Sequence, residues 1–374
     1  LSFKTYDYTL FCTNCRRTYS NIVLSCPNCG SLTIFKYHNA RFEINKRMSG
    51  IWRYKSLLPT IDKIVSKGEG LTPINTIDSV LVKNERYNPT GSYSDRASSI
   101  IASYILSKKT GKVITRFEED FTYSLVYYLT GISRVTVIVD DPLYLNYSDI
   151  SILTRGGNVE LVSTSEDLSV GVLNYVNPLT VEGLKTIAFE LYERRVKVEN
   201  IVVPAVRGLL AYSIWKGFRD LEESGLSTSY NIVATTIKGY SNIMPSIRES
   251  FKVVEVSRDE VLAALLELGG KGVITKPLSI SAFIIAKSLG NSIAILTIGF
   301  RPPPRKHWSI GARREIIRIL EEYGESTAYE VWKNLPVYTL RGVYRALKAM
   351  EEKGEVCSEF KTRGNRKVKY YKVC

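Results

Sequence analysis

Three groups of residues in this 374-residue chain have the types and spacing to do chemistry. Cys12-Thr13-Asn14-Cys15 and Cys26-Pro27-Asn28-Cys29 are two Cys-x-x-Cys knuckles separated by ten residues. Two such knuckles can set four thiolates tetrahedrally around one zinc. Four cysteine ligands leave no open coordination position, so the expected metal is structural. A redox pair needs only one knuckle, and disulfides are the remaining alternative. The second group is Asn88-Pro89-Thr90-Gly91-Ser92-Tyr93-Ser94-Asp95-Arg96, a small-residue loop leading into a helical stretch. The third is a set of cations near the C-terminus, Arg341, Arg345 and Lys348 with Tyr344 beside them, followed by Lys361, Arg363, Arg366 and Lys367.

The elements that must carry these residues follow from periodicity. Short β-branched runs at Ser79–Lys83, Lys112–Thr115, Val135–Asp140, Val159–Val162, Asn200–Val203, Asn231–Thr236 and Ser292–Ile298 mostly alternate with helical stretches. That alternation predicts an α/β body of parallel strands covered by helices on both faces. Arg301-Pro302-Pro303-Pro304-Arg305-Lys306 is a stiff basic linker, because consecutive prolines favour extended geometry. Beyond it, Ile316, Ile317 and Leu320 share one helical face, and Thr327-Ala328-Tyr329-Glu330 has capping-box spacing. Thr339 can cap a third helix, with Leu340, Val343, Leu347 and Met350 facing inward and Arg341, Tyr344, Arg345 and Lys348 facing out. Two strands, 355–362 and 367–373, flank the turn Arg363-Gly364-Asn365-Arg366. Three helices and a basic-tipped hairpin resemble a winged helix-turn-helix, whose third helix meets base edges and whose wing meets phosphates or the minor groove. Cys357 and Cys374 can form a disulfide or stay two separate thiols. The expected domains are a zinc ribbon (1–40), the α/β body (41–300), a Pro-rich linker (301–307) and the winged helix (308–374).

The loop at 88–96 resembles the Asn-Pro-Thr-Gly-Ser-Phe-Lys-Asp-Arg signature of threonine synthases. Trp52-Arg53-Tyr54-Lys55-Ser56-Leu57-Leu58-Pro59, Gly68-Glu69-Gly70-Leu71-Thr72-Pro73 and Lys83-Asn84-Glu85 are similar to that family's segments, in its order. The resemblance runs from Cys12 to about Gly299, and similar cysteine ribbons open some threonine synthases. It implies the two-lobed fold type II architecture of pyridoxal phosphate enzymes. In that family the lysine of the signature forms the Schiff base with the cofactor, and the matching position here is Ser94. A hydroxyl cannot condense with an aldehyde to give an imine. Two more family segments are altered. Arg116-Phe117-Glu118-Glu119-Asp120 stands where Ser-x-Gly-Asn is expected, and Pro204-Ala205-Val206-Arg207-Gly208-Leu209 where a glycine-rich phosphate loop is expected. Thr297 and Gly299 alone remain of a Thr-Gly-x-Gly-x-Lys-like end. These departures predict no enzyme, no bound pyridoxal phosphate, and a body serving dimerisation or small-ligand sensing.

Composition sets bounds on partners. The chain has 44% hydrophobic and 24% charged residues, a soluble globular balance, and no apolar run long enough to span a membrane. No signal pattern opens the sequence, so the expected location is cytoplasmic. An absence of glutamine and only three methionines fit a thermophile, archaeal-like in type. Residues 301–374 carry 17 lysines and arginines against nine acids, so this fifth of the chain holds +8 of the total +14. Such asymmetry points to a polyanion. The function expected is a sequence-specific double-stranded DNA-binding homodimer, regulating transcription or binding a replication origin, with zinc as its structural metal and a small-molecule effector in the cleft. The alternatives are an active pyridoxal phosphate-dependent lyase or threonine synthase with a DNA-binding appendage, and a protein-interaction scaffold.

Overall fold

Strands that must bury both faces read as unbroken apolar runs, and the centre of this molecule is built from them. The computed structural model describes all residues except 1–6, 146, 156, 164–170, 300–307, 336–339 and 364–365. The chain divides into two compact units, Leu1–Phe300 and Arg301–Cys374. In the first, β1 (Tyr8–Cys12), β2 (Thr18–Tyr19) and β3 (Thr33–Tyr37) form a small antiparallel sheet. Next come β4 (Ile74–Ile77), β5 (Val80–Asn84) and α1 (Asp95–Lys108). A three-stranded parallel sheet follows, of β6 (Lys112–Arg116), β7 (Arg134–Ile138) and β8 (Val159–Val162), with α2 (Glu119–Leu129) and α3 (Tyr147–Arg155) in its connections. The chain then runs through α4 (Pro178–Leu184), α5 (Thr186–Glu193), β9 (Asn200–Pro204), α6 (Leu209–Glu223) and β10 (Asn231–Ile237). It closes with β11 (Lys252–Val256), α7 (Arg258–Gly270), α8 (Pro277–Leu289) and β12 (Ser292–Leu296).

The larger sheet has the order β11-β10-β9-β12-β5-β4, parallel except for β4. Its pleat sends alternate residues into two cores. Ile201, Val203, Ile293 and Ile295 face one, while Val202, Val233, Ala294 and Leu296 face the other, which is capped by α7 and α8. Both faces are therefore covered, as a parallel sheet requires.

A buried ion network ties the loop at 88–96 to this frame. Arg96 donates to Glu85 at 2.6 and 2.9 Å and to Glu190 at 2.6 Å. Lys83 reaches Glu190 at 2.7 Å and Glu85 at 3.4 Å. All four side chains are fully buried. Two cations face two carboxylates, and Thr72 and Asn88 give Glu85 further hydrogen bonds. Helix α4 lies against α1 at this point because position 183 is glycine: a Cβ there would sit 2.4 Å from the Arg96 carbonyl oxygen. Removing one member strands a buried charge, so Arg96→Met should cost about 3–5 kcal/mol of unfolding free energy. Urea denaturation of the intact protein measures this.

The cysteine sheet is not a free-standing knot. Leu10, Phe35 and Tyr37 belong to the same apolar core as α1, α4 and α5. The Tyr37 hydroxyl donates to the buried Glu182, and the Lys185 ammonium lies 4.4 Å from the Tyr37 ring centre. Lys185 also pairs with Glu182 at 2.6 Å and with Asp220 at 2.7 Å.

The second unit holds α9 (Trp308–Tyr323), β13 (Ser326–Thr327), α10 (Ala328–Lys333), α11 (Leu340–Glu352), β14 (Val356–Arg363) and β15 (Arg366–Val373). Its sheet has the order β13-β15-β14. Thr327 and Glu330 form the capping box that their spacing predicts. Ile316, Leu320, Val331, Val343, Leu347 and Met350 fill a core of its own. Cys357 and Cys374 are joined as a disulfide at the base of the hairpin.

Candidate functional sites

The loop at 88–96 presents its residues at the N-terminus of α1. Ser92 and Ser94 are fully buried, and the Ser94 Oγ has no hydrogen-bond partner. Tyr93 donates its backbone N–H to the Thr297 carbonyl at 2.9 Å, and its hydroxyl meets that of Tyr175 at 3.1 Å. Burial holds both phenols well above their ordinary range. The segments 116–120 and 204–209 face each other here. Arg207 is ion-paired to Glu118 and lies 5.9 Å from the Tyr175 ring centre. Lys276, just before α8, binds Glu119 at 2.6 Å and Asp120 at 2.9 Å. Gly208 takes a left-handed φ of 82° before α6, where an added Cβ would press on Ile243 at 3.0 Å and Phe251 at 3.1 Å. The acidic run that stands at Glu118–Asp120 is thus met by one cation from each facing segment. Neither Lys276 nor Tyr175 carries a sequence signal; each is brought in by long-range packing.

Asp95, the next residue, accepts from Ser124 at 2.6 Å and from both the N–H and hydroxyl of Thr90 at 2.6 Å. Burial outweighs these bonds and raises its carboxyl from an ordinary 3.8 to about 7. The fold therefore favours the protonated form, whose contribution is full below pH 3.8 and is lost as pH rises towards about 7. Buried Glu118 and Glu182 shift in the same direction. Glu85 and Glu190, held low, lose stabilisation only as pH falls below their ordinary 4.5. Above that pH the raised carboxyls act alone among these groups. Asp95→Asn should flatten the decline in stability between pH 4.5 and about 7 that the native protein shows. Denaturant titrations in a pH series check this, and an unchanged slope would remove Asp95 as its source.

The four N-terminal cysteines are brought together as their spacing predicts. Their sulfurs all lie within 4.8 Å of one another, with Cys12–Cys29 and Cys15–Cys26 each at 3.5 Å, and none of the four is disulfide-bonded. Tetrahedral thiolates at a Zn–S distance of about 2.3 Å sit roughly 3.8 Å apart, so the donor set fits zinc. The two knuckles are built alike. Arg16 N–H bonds to Cys12 O at 3.2 Å, and Gly30 N–H to Cys26 O at 2.8 Å. Tyr19, which the cysteine spacing does not reveal, places its hydroxyl 3.0 Å from the Cys26 sulfur. Because this sheet shares the body's core, loss of the metal should reach beyond the first forty residues. Cys26→Ser, or chelation, should lower amide protection around Glu182 and Lys185 as well as in β1–β3. Hydrogen exchange confined to the first sheet would refute that coupling.

On the second unit, Arg341, Tyr344, Arg345 and Lys348 are exposed on α11, opposite buried Val343, Leu347 and Met350. None of these three cations forms an ion pair with a described residue. The hairpin's lysines differ. Lys361 is paired with Glu325, Lys372 lies 3.5 Å from Glu325, and Lys369 lies 2.7 Å from Glu351. Lys367 is exposed. Arg363 and Arg366 are the last registered pair of β14 and β15, and Thr339 lies outside the described residues.

Comparison with known proteins places the first unit. A family model described as pyridoxal-phosphate dependent enzyme matches residues 65–296. The threonine synthase of Methanocaldococcus jannaschii is 27% identical over 295 residues, covering 69% of this chain and 73% of that protein. The threonine synthase of Methanosarcina acetivorans is 26% identical over 305 residues, covering 73% and 75%. Serine racemase from Dictyostelium discoideum superposes with a TM-score of 0.52 at 16% identity, over 61% of this chain and 91% of that one. A pyridoxal 5′-phosphate-dependent aspartate racemase gives 0.52 at 14% identity, over 63% and 92%. These two structures share the fold. The chain belongs to the family of pyridoxal-phosphate dependent enzymes, and its relatives there include threonine synthases.

That membership corrects two expectations drawn from Ser94. The chain is not set apart from enzymes, since the family it belongs to is one of enzymes. The expectation of no pyridoxal phosphate is likewise overturned, because the family implies that cofactor. The altered loop misled because one position was taken to speak for a body whose whole sheet and core follow the family. At Ser94 itself the chemistry remains that of a hydroxyl. Residues 89–97 offer no amine, an imine does not fit at that position, and no step is assigned through it. Among the described residues no helix is long and apolar enough to cross a membrane.

Proposed function

We propose that this chain is a double-stranded DNA-binding member of the pyridoxal-phosphate dependent enzyme family. The second unit is read as a winged helix that sets α11 into the major groove, with the hairpin tip at 363–366 against phosphates. The observation that carries the reading is the α11 face: Arg341, Arg345 and Lys348 point away from the core and are not neutralised by any described acid. A solvated helix usually intersperses acids among such cations, whereas phosphate and base contacts need them free. Lys361 is a weaker candidate, being engaged by Glu325. Paired copies would offer two such helices to two half-sites, and the first unit's cleft, lined by Arg207 and Lys276, would take an anionic small-molecule effector. Transcription regulation and replication-origin binding both fit this arrangement.

A second reading is favoured by the family match itself. In it the first unit carries out a pyridoxal phosphate reaction of the threonine synthase type, and the second unit is its DNA-binding appendage. Cofactor titration followed by absorbance, with turnover measured in parallel, decides whether that reading holds.

For the DNA face, Arg341→Ala or Arg345→Ala at a base-reading position should cost roughly 1–3 kcal/mol and relax preference at that base pair. Arg363→Ala or Arg366→Ala should weaken specific and random duplexes alike. Fluorescence anisotropy on both duplex types separates the two groups. If all four substitutions leave duplex binding unchanged, α11 and the hairpin tip are not the DNA face.

A further inference from the structure

Helix α7 breaks the usual pattern of a surface helix, which turns charge outward. Its outward stripe holds Leu262, Ala263, Leu266, Gly269 and Gly270, with Asp259 as the polar residue at one end. Leu262 is 59% exposed and Leu266 82%. Gly269 and Gly270 destabilise a helix relative to alanine, yet a Cβ at either would meet nothing within 4 Å. No contact within the described chain accounts for them. Beside the stripe, between α7 and α8, lies a cavity of about 280 Å³ lined by Ala264, Leu268, Phe283 and Ile284, with Glu267 and Lys287 at its rim.

We infer that this face pairs with the same face of a second copy of the chain, α7 running antiparallel to α7. A two-fold axis midway between Leu262 and Leu266 sets each Leu262 against the partner's Leu266, and the small residues let the two backbones approach. The surface is self-complementary in shape, since ridge and cavity lie side by side on one protomer. It is self-complementary in charge as well. The start of α7 carries exposed Asp259 and Glu260 and its end carries Lys271, so antiparallel pairing brings each acidic end to the partner's basic end. Glu267 and Lys287 offer the same exchange at the cavity rim. This names the surface for the pairing that the DNA-binding reading uses, but it rests on α7 and α8 alone.

Sedimentation velocity of the full-length protein without DNA, over a wide concentration range, tests it. The native protein should sediment as a dimer and dissociate on dilution. Leu262→Glu combined with Leu266→Glu should give a monomer with an unchanged circular-dichroism melt. Leu143→Glu, at a residue 89% exposed elsewhere, should stay dimeric. A monomeric native protein, a double variant that still pairs, or a Leu143→Glu variant that also dissociates would each overturn the assignment. Should the double variant misfold, amide exchange in residues 258–270 of the native protein decides. Protection that falls on dilution supports the interface, and protection independent of concentration refutes it. Because no DNA is present, failure here leaves the α11 face untouched, and failure of DNA binding leaves this interface untouched.

Discussion

The first unit is organised around four fully buried charges, Lys83, Glu85, Arg96 and Glu190. They come from a strand, the turn after it, the start of α1 and the middle of α5, so one network fixes four elements at once. Charges taken out of water are costly unless each is matched, and here each carboxylate faces both cations. The arrangement leaves little freedom to the loop between Asn88 and Arg96. Ser94 is therefore held at the head of α1 whatever chemistry its hydroxyl does or does not support. The loop's rigidity belongs to the frame, and it persists through the changes at 116–120 and 204–209.

A second buried cluster, Lys185 with Glu182 and Asp220, receives the Tyr37 hydroxyl from β3. It joins the cysteine sheet to the body by the same means that the first network joins the loop. Zinc at the four thiolates would thus bear on the stability of a much larger assembly than the knuckles themselves.

Local signals in the sequence were reliable wherever the cause was local. The β-branched runs at 112–115, 200–203 and 231–236 lie within strands, because burial on both faces demands such residues. The Thr327–Glu330 spacing makes its capping box, and the two knuckles converge. What the sequence hid depends on distant partners. Lys276 meets Asp120 across 156 positions, and Tyr37 meets Glu182 across 145. β11 and the two-residue β13 were missed, the latter existing only through pairing with Tyr370 and Tyr371. Lys361 looked like a free wing cation until Glu325, 36 positions away, was seen to hold it. The largest misjudgement followed from giving Ser94 authority over the identity of the whole body. The core and sheet, spread over more than two hundred residues, place the chain in the enzyme family.

The two units bring different physics to one chain. The first buries its charges in matched sets, while the second leaves Arg341, Arg345 and Lys348 in solvent on a helix face backed by an apolar core. Binding of a polyanion to that face is the central claim, and counterion release gives it a direct readout. The affinity of the intact protein for duplex DNA should fall steeply with salt, log K changing by about −0.9 per log unit of salt for each phosphate neutralised. A steep slope in the native protein that becomes shallower in Arg345→Ala is the predicted result. Absence of duplex binding at low salt, or an affinity indifferent to salt, would contradict the account.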